Sequence, residues 1–140
     1  MLATNRKGQT ILKKQYFAYT LISLETFIIP KIYGGFAHGV TSPFMTWMFL
    51  WPLLGGVLVY YIIEKVRPSS VKTPCFRLFS NLYNAGIATL TVGSFLQGVI
   101  EIAGASSDYI PYFYLMGGNF IVAGFSVMGI TKLKKLKGRN

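Results

Sequence analysis

The sequence predicts an all-α integral membrane protein, a bundle of four transmembrane helices with both termini in the cytoplasm. Of its 140 residues, 52% are hydrophobic and 13% are charged, about half the roughly 25% charged residues of a typical soluble domain. The hydrophobic residues also come in long blocks, which excludes a soluble nucleic-acid-binding domain in spite of the net charge of +10. The chain is too hydrophobic for a disordered basic tail, and its single cysteine excludes a disulfide scaffold.

Four hydrophobic blocks are long enough to cross a hydrocarbon core of about 30 Å, which takes roughly 20 helical residues. The first block contains Glu25 and Pro30, and the third ends beside Glu101. The predicted spans are residues 15–33, 43–63, 78–103 and 109–131. A cytoplasmic loop at residues 64–77 and basic tails at residues 1–14 and 132–140 complete a single membrane domain, residues 1–140.

Basic residues indicate the orientation of these spans. Thirteen of the fourteen Lys and Arg residues lie in the two tails and the 64–77 loop, and basic residues in short loops stay cytoplasmic. We therefore expect a plasma (inner) membrane protein whose basic tails bind anionic lipid headgroups. Tyrosines near span ends, such as Tyr19, Tyr60 and Tyr114, fit the aromatic belts at the headgroups. A signal peptide at residues 1–37 is the alternative, and a glutamate inside its apolar run argues against it.

Glu25 is the strongest candidate for a functional residue. It lies near the middle of the first predicted span, where a carboxylate is costly and usually has a function. It would exchange protons or neutralise a cationic substrate. The alternative is a hydrogen-bonded glutamate that holds two helices together.

A stripe of polar residues follows one face of the third span, because the spacing matches the 3.6-residue turn of a helix. Its members are Ser80, Asn84, Thr91, Ser94, Gln97 and Glu101. Such a stripe faces the interior of a bundle or a water path. It predicts either a cavity that ends at Glu101 or a set of interhelical hydrogen bonds.

The second and fourth spans add two further features. Pro52 removes a helix hydrogen bond and predicts a bend in the second span. Asn119 follows a glycine pair in the middle of the fourth span and is a further candidate for the cavity. The predicted cavity or ion-binding set is Glu25, Asn84, Thr91, Ser94, Gln97, Glu101 and Asn119. One His and one Cys give no metal-ligand spacing, no catalytic motif is present, and we expect no cofactor.

The residues around Glu25 resemble those of the small multidrug resistance exporters, four-helix chains with a carboxylate in the first span. Here Glu25 is followed by Lys31 and the Gly35-Phe36 turn, and the last span carries Gly118 and Gly124. The resemblance implies that Glu25 binds a cation or protons in alternation and that the fourth helix dimerises.

Three functions are compatible with these patterns. The first is a small transporter or channel-like module for a proton or a small cationic or polar solute, assembled as a homo-oligomer. The second is a non-catalytic membrane subunit or helix-binding partner in a larger membrane complex. The third is a small enzyme that acts on lipid, although no catalytic motif in the sequence supports it.

Overall fold

The computed structural model describes residues 2–66 and 73–137, with side chains for residues 10–66 and 73–130. The described residues form helices and turns and contain no strand, which confirms the all-α class. The helices are α1 (Leu2–Phe36), α2 (Pro43–Trp47), a π-helical segment (Trp51–Leu58), α3 (Val59–Val66), α4 (Pro74–Ile102) and α5 (Ile110–Lys137). We call α2, the π-helical segment and α3 together the bent helix.

Three segments in the described part of the chain are long and apolar enough to cross a membrane: Pro43–Val66, Pro74–Ile102 and Ile110–Ile130. They correspond to the second, third and fourth predicted spans. The helix α1 is longer than any of them but is not in this set, and it carries Glu25 and Lys31. A fourth span, in α1, therefore stays a prediction.

The helix boundaries differ from the predicted span boundaries at the polar loop. The bent helix ends at Val66, and α4 begins at Pro74, so both helices extend into the predicted 64–77 loop. The hydroxyl of Thr73 accepts a 3.3 Å hydrogen bond from the Phe76 amide and caps α4 there. Predictions for the side chains of residues 1–9, 67–72 and 131–140 lie outside the described residues.

The helices pack in the order α1, bent helix, α4, α5. Among the residues described, α5 packs along α4 and along no other helix. Side chains nevertheless join α1 to α4, because Gln15 bonds Ser80 and Tyr19 bonds Asn84, both 65 residues apart. The shared offset shows that α1 and α4 run in the same direction. We call the end with the turns at residues 37–42 and 103–109 the hairpin end, and the opposite end the tail end.

An aromatic core lies toward the tail end, where α1, the bent helix and α4 meet. Its buried members are Leu12, Tyr19, Tyr60, Phe76, Phe79, Tyr83 and Ile87. The ring centroids of Tyr19 and Tyr60 are 5.6 Å apart, and those of Phe79 and Tyr83 are 5.4 Å apart. Stacked rings at these separations stabilise a core beyond the area that they bury.

Pro52 lies in the π-helical segment, at the place where the sequence predicts a bend in the second span. This segment allows two glycines to meet neighbouring helices at close range. A Cβ on Gly56 would lie 2.1 Å from the ring of Tyr19, and a Cβ on Gly55 would lie 2.4 Å from Ile87. The hydroxyl of Tyr83 donates a 2.7 Å hydrogen bond to the carbonyl of Gly55, which supplies a partner for a backbone group in the irregular turn.

Candidate functional site

The tail-end part of the polar stripe forms a hydrogen-bonded cluster with two tyrosines, which we call the tyrosine cluster (Gln15, Tyr19, Tyr60, Ser80 and Asn84). Tyr19 and Tyr60 both donate to the amide oxygen of Asn84, at 2.8 and 2.6 Å. Gln15 donates to the Ser80 hydroxyl at 3.0 Å, and Tyr60 and Ser80 are 2.8 Å apart. The cluster therefore joins α1, the bent helix and α4.

Ser94 joins three helices nearer the hairpin end. Its hydroxyl accepts a 2.9 Å hydrogen bond from the indole nitrogen of Trp51 and lies 3.3 Å from the hydroxyl of Tyr114. The bent helix, α4 and α5 meet at this one buried side chain. Because the indole nitrogen of Trp can only donate, the serine oxygen supplies its hydrogen-bond acceptor between the helices.

Glu101 lies at the hairpin end of the same stripe. Gln97 donates to one of its carboxylate oxygens at 2.9 Å, and the Ser42 hydroxyl donates to the other. Ser42 precedes α2, and its hydroxyl makes no capping bond to that helix. The interaction therefore ties α2 to the last turn of α4. No ion pair to Glu101 occurs among the described side chains.

The remaining stripe residue, Thr91, donates to the Ile87 carbonyl of its own helix at 2.8 Å. Asn119 lies exposed on α5, apart from the polar stripe, and lines neither of the two grooves described below. The structure thus brings the stripe into contact with α1 and the bent helix, but it does not bring Asn119 to it. The roles of these residues as a cavity or ion site stay predictions.

Glu25 is exposed on α1 and makes no hydrogen bond or ion pair to a described residue. It lies eleven residues before the end of α1 at Phe36, or about 16 Å at 1.5 Å per residue. This is about half of a ~30 Å hydrocarbon core. The contacts of α1 with the bent helix lead to a similar position for Glu25. Phe27 packs on Phe49, and Tyr19 packs on Tyr60. These pairs place Glu25 level with the start of the π-helical segment, near the middle of the bent helix.

The two sides of α1 differ in polarity. The side that packs on the bent helix carries Ser23 and Thr26, both 7% exposed. The opposite side carries Leu21 and Ile28, 47% and 43% exposed, on either side of Glu25. Their spacing of four and three residues puts them on one face, which we call the Glu25 face. An apolar exterior with a polar interior is the arrangement expected of a helix in lipid.

Two grooves flank α4. The smaller, the α1–α4 groove, has a volume of about 400 Å³ and lies between α1 and α4 with Pro52 at its floor. Its lining includes Gln15, Ala18, Ile22, Asn84 and Thr91. Two predicted cavity residues, Asn84 and Thr91, thus share one groove.

The larger groove, which we call the aromatic groove, has a volume of about 690 Å³ and lies between the bent helix and α5. Its lining includes Pro43, Trp47, Trp51, Leu54, Ser94 and Tyr114. The sequence contains two tryptophans, and both line this groove. Its polar atoms are those of the Trp51–Ser94–Tyr114 contact, which satisfy one another.

Sequence reasoning missed the tyrosines of these contacts. Tyr19 and Tyr60 are buried inside the bundle, and their hydroxyls bond Asn84 in the tyrosine cluster. A usable signal was present, since Phe76, Phe79 and Tyr83 recur at steps of three and four on α4 and mark a packed face.

No group of three or more His, Cys, Asp or Glu side chains that could hold a metal ion occurs among the residues described. Comparison with protein-family models, curated proteins and solved structures finds no match to this chain. The resemblance to the small multidrug resistance exporters gains no support from these comparisons. The function must therefore be argued from the contacts of the chain itself.

Proposed function

We propose that this chain is a membrane subunit without catalytic activity, which binds a transmembrane helix of a different protein through the Glu25 face of α1. The observation that carries the proposal is an exposed carboxylate on α1 that has no partner among the described residues and lies between apolar side chains. In a membrane-spanning α1 it would lie near the middle of the bilayer. A charged residue at that depth costs about 2.5–3.5 kcal/mol. A donor side chain on a neighbouring helix would offset this cost.

The composition of α1 supports the same proposal. Among the described residues, the other three long helical segments are apolar enough to cross a membrane, and α1 is less apolar than they are. The hydroxyls on its packed side bond carbonyls of α1 itself, while Leu21, Glu25 and Ile28 have no partner helix in the described structure. A neighbouring helix that covers this face would stabilise α1 in the membrane.

The expected partner is a different protein and not a second copy of this chain. A two-fold pairing of two α1 helices through the Glu25 face would bring the two carboxylates together, and like charges disfavour that arrangement. A partner with Arg, Lys, Asn or Gln at the same depth would instead donate to Glu25.

Site-specific photo-crosslinking in membranes of the native host tests the proposal. A photoreactive phenylalanine analogue is introduced in place of Leu21, Ile28 or, as a control on α5, Val122, which is 63% exposed. We expect one protein adduct of the same mass from Leu21 and Ile28 and none from Val122. Adducts with lipid alone, or with a second copy of the chain, would overturn the proposal.

A substitution of Glu25 then tests the role of the carboxylate. Glu25→Ala should reduce the adduct formed at Ile28 several-fold, because the interhelical hydrogen bond is lost. Glu64→Ala is the matched control, since it removes a carboxylate near the tail end of the bent helix, away from the Glu25 face. Equal yields from both variants would remove Glu25 from the interface.

Transport of a proton or a small cationic or polar solute is the second candidate, and the α1–α4 groove favours it. Glu25 lies seven residues after Ala18 and three after Ile22, which both line that groove. The carboxylate therefore lies about one turn beyond Ile22, near the edge of the groove on α1, and about 15 Å along the helix from the level of Gln15. Such a groove would offer a cation two amides along its length and a carboxylate beyond its end.

Proteoliposome flux tests this candidate. Glu25→Gln should abolish proton-coupled uptake of an organic cation such as ethidium, and Asn84→Ala should reduce it. Glu64→Gln, which removes a carboxylate near the tail end, is the control. Flux that is absent in the native chain, or unchanged in Glu25→Gln, would remove the transport candidate.

A further inference from the structure

We propose that the aromatic groove binds one acyl chain of a phospholipid whose headgroup carries an amine, as phosphatidylethanolamine does, and that Glu101 receives the ammonium group. This inference rests on the membrane location of the proposed function but not on its partner helix.

The groove opens where lipid would surround the protein. Its walls come from Pro43–Val66 and Ile110–Ile130, both long and apolar enough to span a membrane. Several lining residues are exposed at its mouth, among them Phe44, Trp47 and Leu54, at 46%, 59% and 52%. An apolar chain would therefore enter from the side, without leaving the hydrocarbon layer.

The length of the groove matches one leaflet. Its lining on the bent helix begins at Pro43 and continues to Gly55. Twelve residues at about 1.5 Å each give a length of about 18 Å, a little over half of a ~30 Å hydrocarbon core. One acyl chain from the leaflet at the hairpin end would fill this length.

The apolar lining of the groove suits an acyl chain. The groove has a volume of about 690 Å³, within the range of ligand pockets in proteins. The polar atoms of Trp51, Ser94 and Tyr114 bond one another. The groove thus offers its occupant apolar surface and no free polar partner.

Glu101 gives the groove a preference for a lipid whose headgroup carries an amine. On α4, Ile87 and Ser94 line the groove, and Glu101 follows Ser94 by the same seven-residue step, which keeps it on the same face. Its partner Ser42 directly precedes Pro43, at the hairpin end of the groove wall. The carboxylate thus lies where the headgroup of the bound chain would be.

The charge of Glu101 calls for a cation. Its carboxylate takes one hydrogen bond from Ser42 and one from Gln97, and a carboxylate has about four acceptor positions. Among the described residues Lys31 offers it no ion pair, since the Lys31 ammonium lies 5.5 Å from the ring centroid of Phe27. An ethanolamine ammonium would supply the missing charge, whereas a phosphatidylglycerol headgroup offers none.

Tryptophan fluorescence tests the proposal directly, because both tryptophans line the groove. The full-length chain is reconstituted in phosphatidylcholine vesicles that contain phosphatidylethanolamine or phosphatidylglycerol with brominated acyl chains. We expect the brominated ethanolamine lipid to quench at a roughly three- to fivefold lower mole fraction, the size expected of a half-exposed charge pair. Equal quenching by the two lipids would overturn the headgroup assignment.

Two pairs of variants complete the test. Glu101→Gln should abolish the preference, and Asp108→Asn, which removes an exposed acid at the same end, should keep it. Leu54→Phe should fill the groove and weaken quenching by both lipids, whereas Leu58→Phe, at a similarly exposed site outside the groove, should not. A preference that survives Glu101→Gln, or identical quenching in the two Phe variants, would overturn the site.

Discussion

The hydroxyl of Tyr60 donates a 2.6 Å hydrogen bond to the amide oxygen of Asn84, and this oxygen also accepts a bond from Tyr19. One amide oxygen therefore joins α1 and the bent helix to α4. The arrangement places three polar side chains in an aromatic core and gives each of them a partner. Buried groups of this kind stabilise a fold when they are satisfied and destabilise it when a partner is removed.

Asn84→Ala should therefore destabilise the protein. It leaves the two tyrosine hydroxyls with one acceptor fewer each, and interhelical hydrogen bonds in membranes are worth about 0.6–2 kcal/mol. We expect a loss of about 1–3 kcal/mol in the free energy of unfolding, measured by SDS titration in mixed micelles. Asn119→Ala, at an exposed amide on α5, should change it by less than about 0.5 kcal/mol. Equal losses would contradict the central role of Asn84.

Gly56→Ala should disrupt the contact between the bent helix and α1. The added Cβ would lie 2.1 Å from the Tyr19 ring, so the helices must separate, at a typical cost of about 1–3 kcal/mol. Gly118→Ala is the matched control, since nothing lies within 4 Å of a Cβ there and alanine favours a helix over glycine. Thermal unfolding in detergent should show a lower melting temperature for Gly56→Ala alone.

The interior direction of the α4 stripe could be predicted from the sequence, because polar side chains in a membrane helix avoid lipid. Ser80, Asn84 and Ser94 contact other helices as the spacing indicates. The start of α2 at Pro43 was also readable from the fixed backbone angle of proline. The hydrogen bond from Ser42 to Glu101 could not be predicted, because the two residues are 59 positions apart in the sequence.

The face of α1 on which Glu25 lies was harder to assign from the sequence. This helix offers two faces on opposite sides, one with Ser23 and Thr26 and the other the Glu25 face. The hydroxyls of Ser23 and Thr26 bond backbone carbonyls of α1, so they can face another helix at little cost in free energy. A carboxylate on that face would need a hydrogen-bond donor from the other helix. The partners of each face are set by tertiary contacts, and a single sequence does not give them.

Ser94→Ala should leave the indole N–H of Trp51 without its acceptor. An interhelical hydrogen bond in a membrane is worth about 0.6–2 kcal/mol, so the free energy of unfolding in SDS titration should fall by that amount. The tryptophan emission maximum should also shift, because one of the two tryptophans loses its hydrogen bond. Ser126→Ala should change neither quantity, since Ser126 is exposed and bonds the Val122 carbonyl of its own helix. An unchanged stability of Ser94→Ala would contradict the contact.

Labelling of single cysteines tests whether α1 crosses the membrane. In a Cys75→Ser background, Val40→Cys lies in the exposed turn after α1 and Thr10→Cys lies near its start. If α1 spans the bilayer with the tail end in the cytoplasm, an impermeant maleimide will label Val40→Cys in intact cells, but Thr10→Cys only after permeabilisation. Adding Glu25→Leu should leave this pattern unchanged, because it makes α1 more apolar and favours insertion. Labelling of both sites in intact cells would show that α1 lies on one side of the membrane.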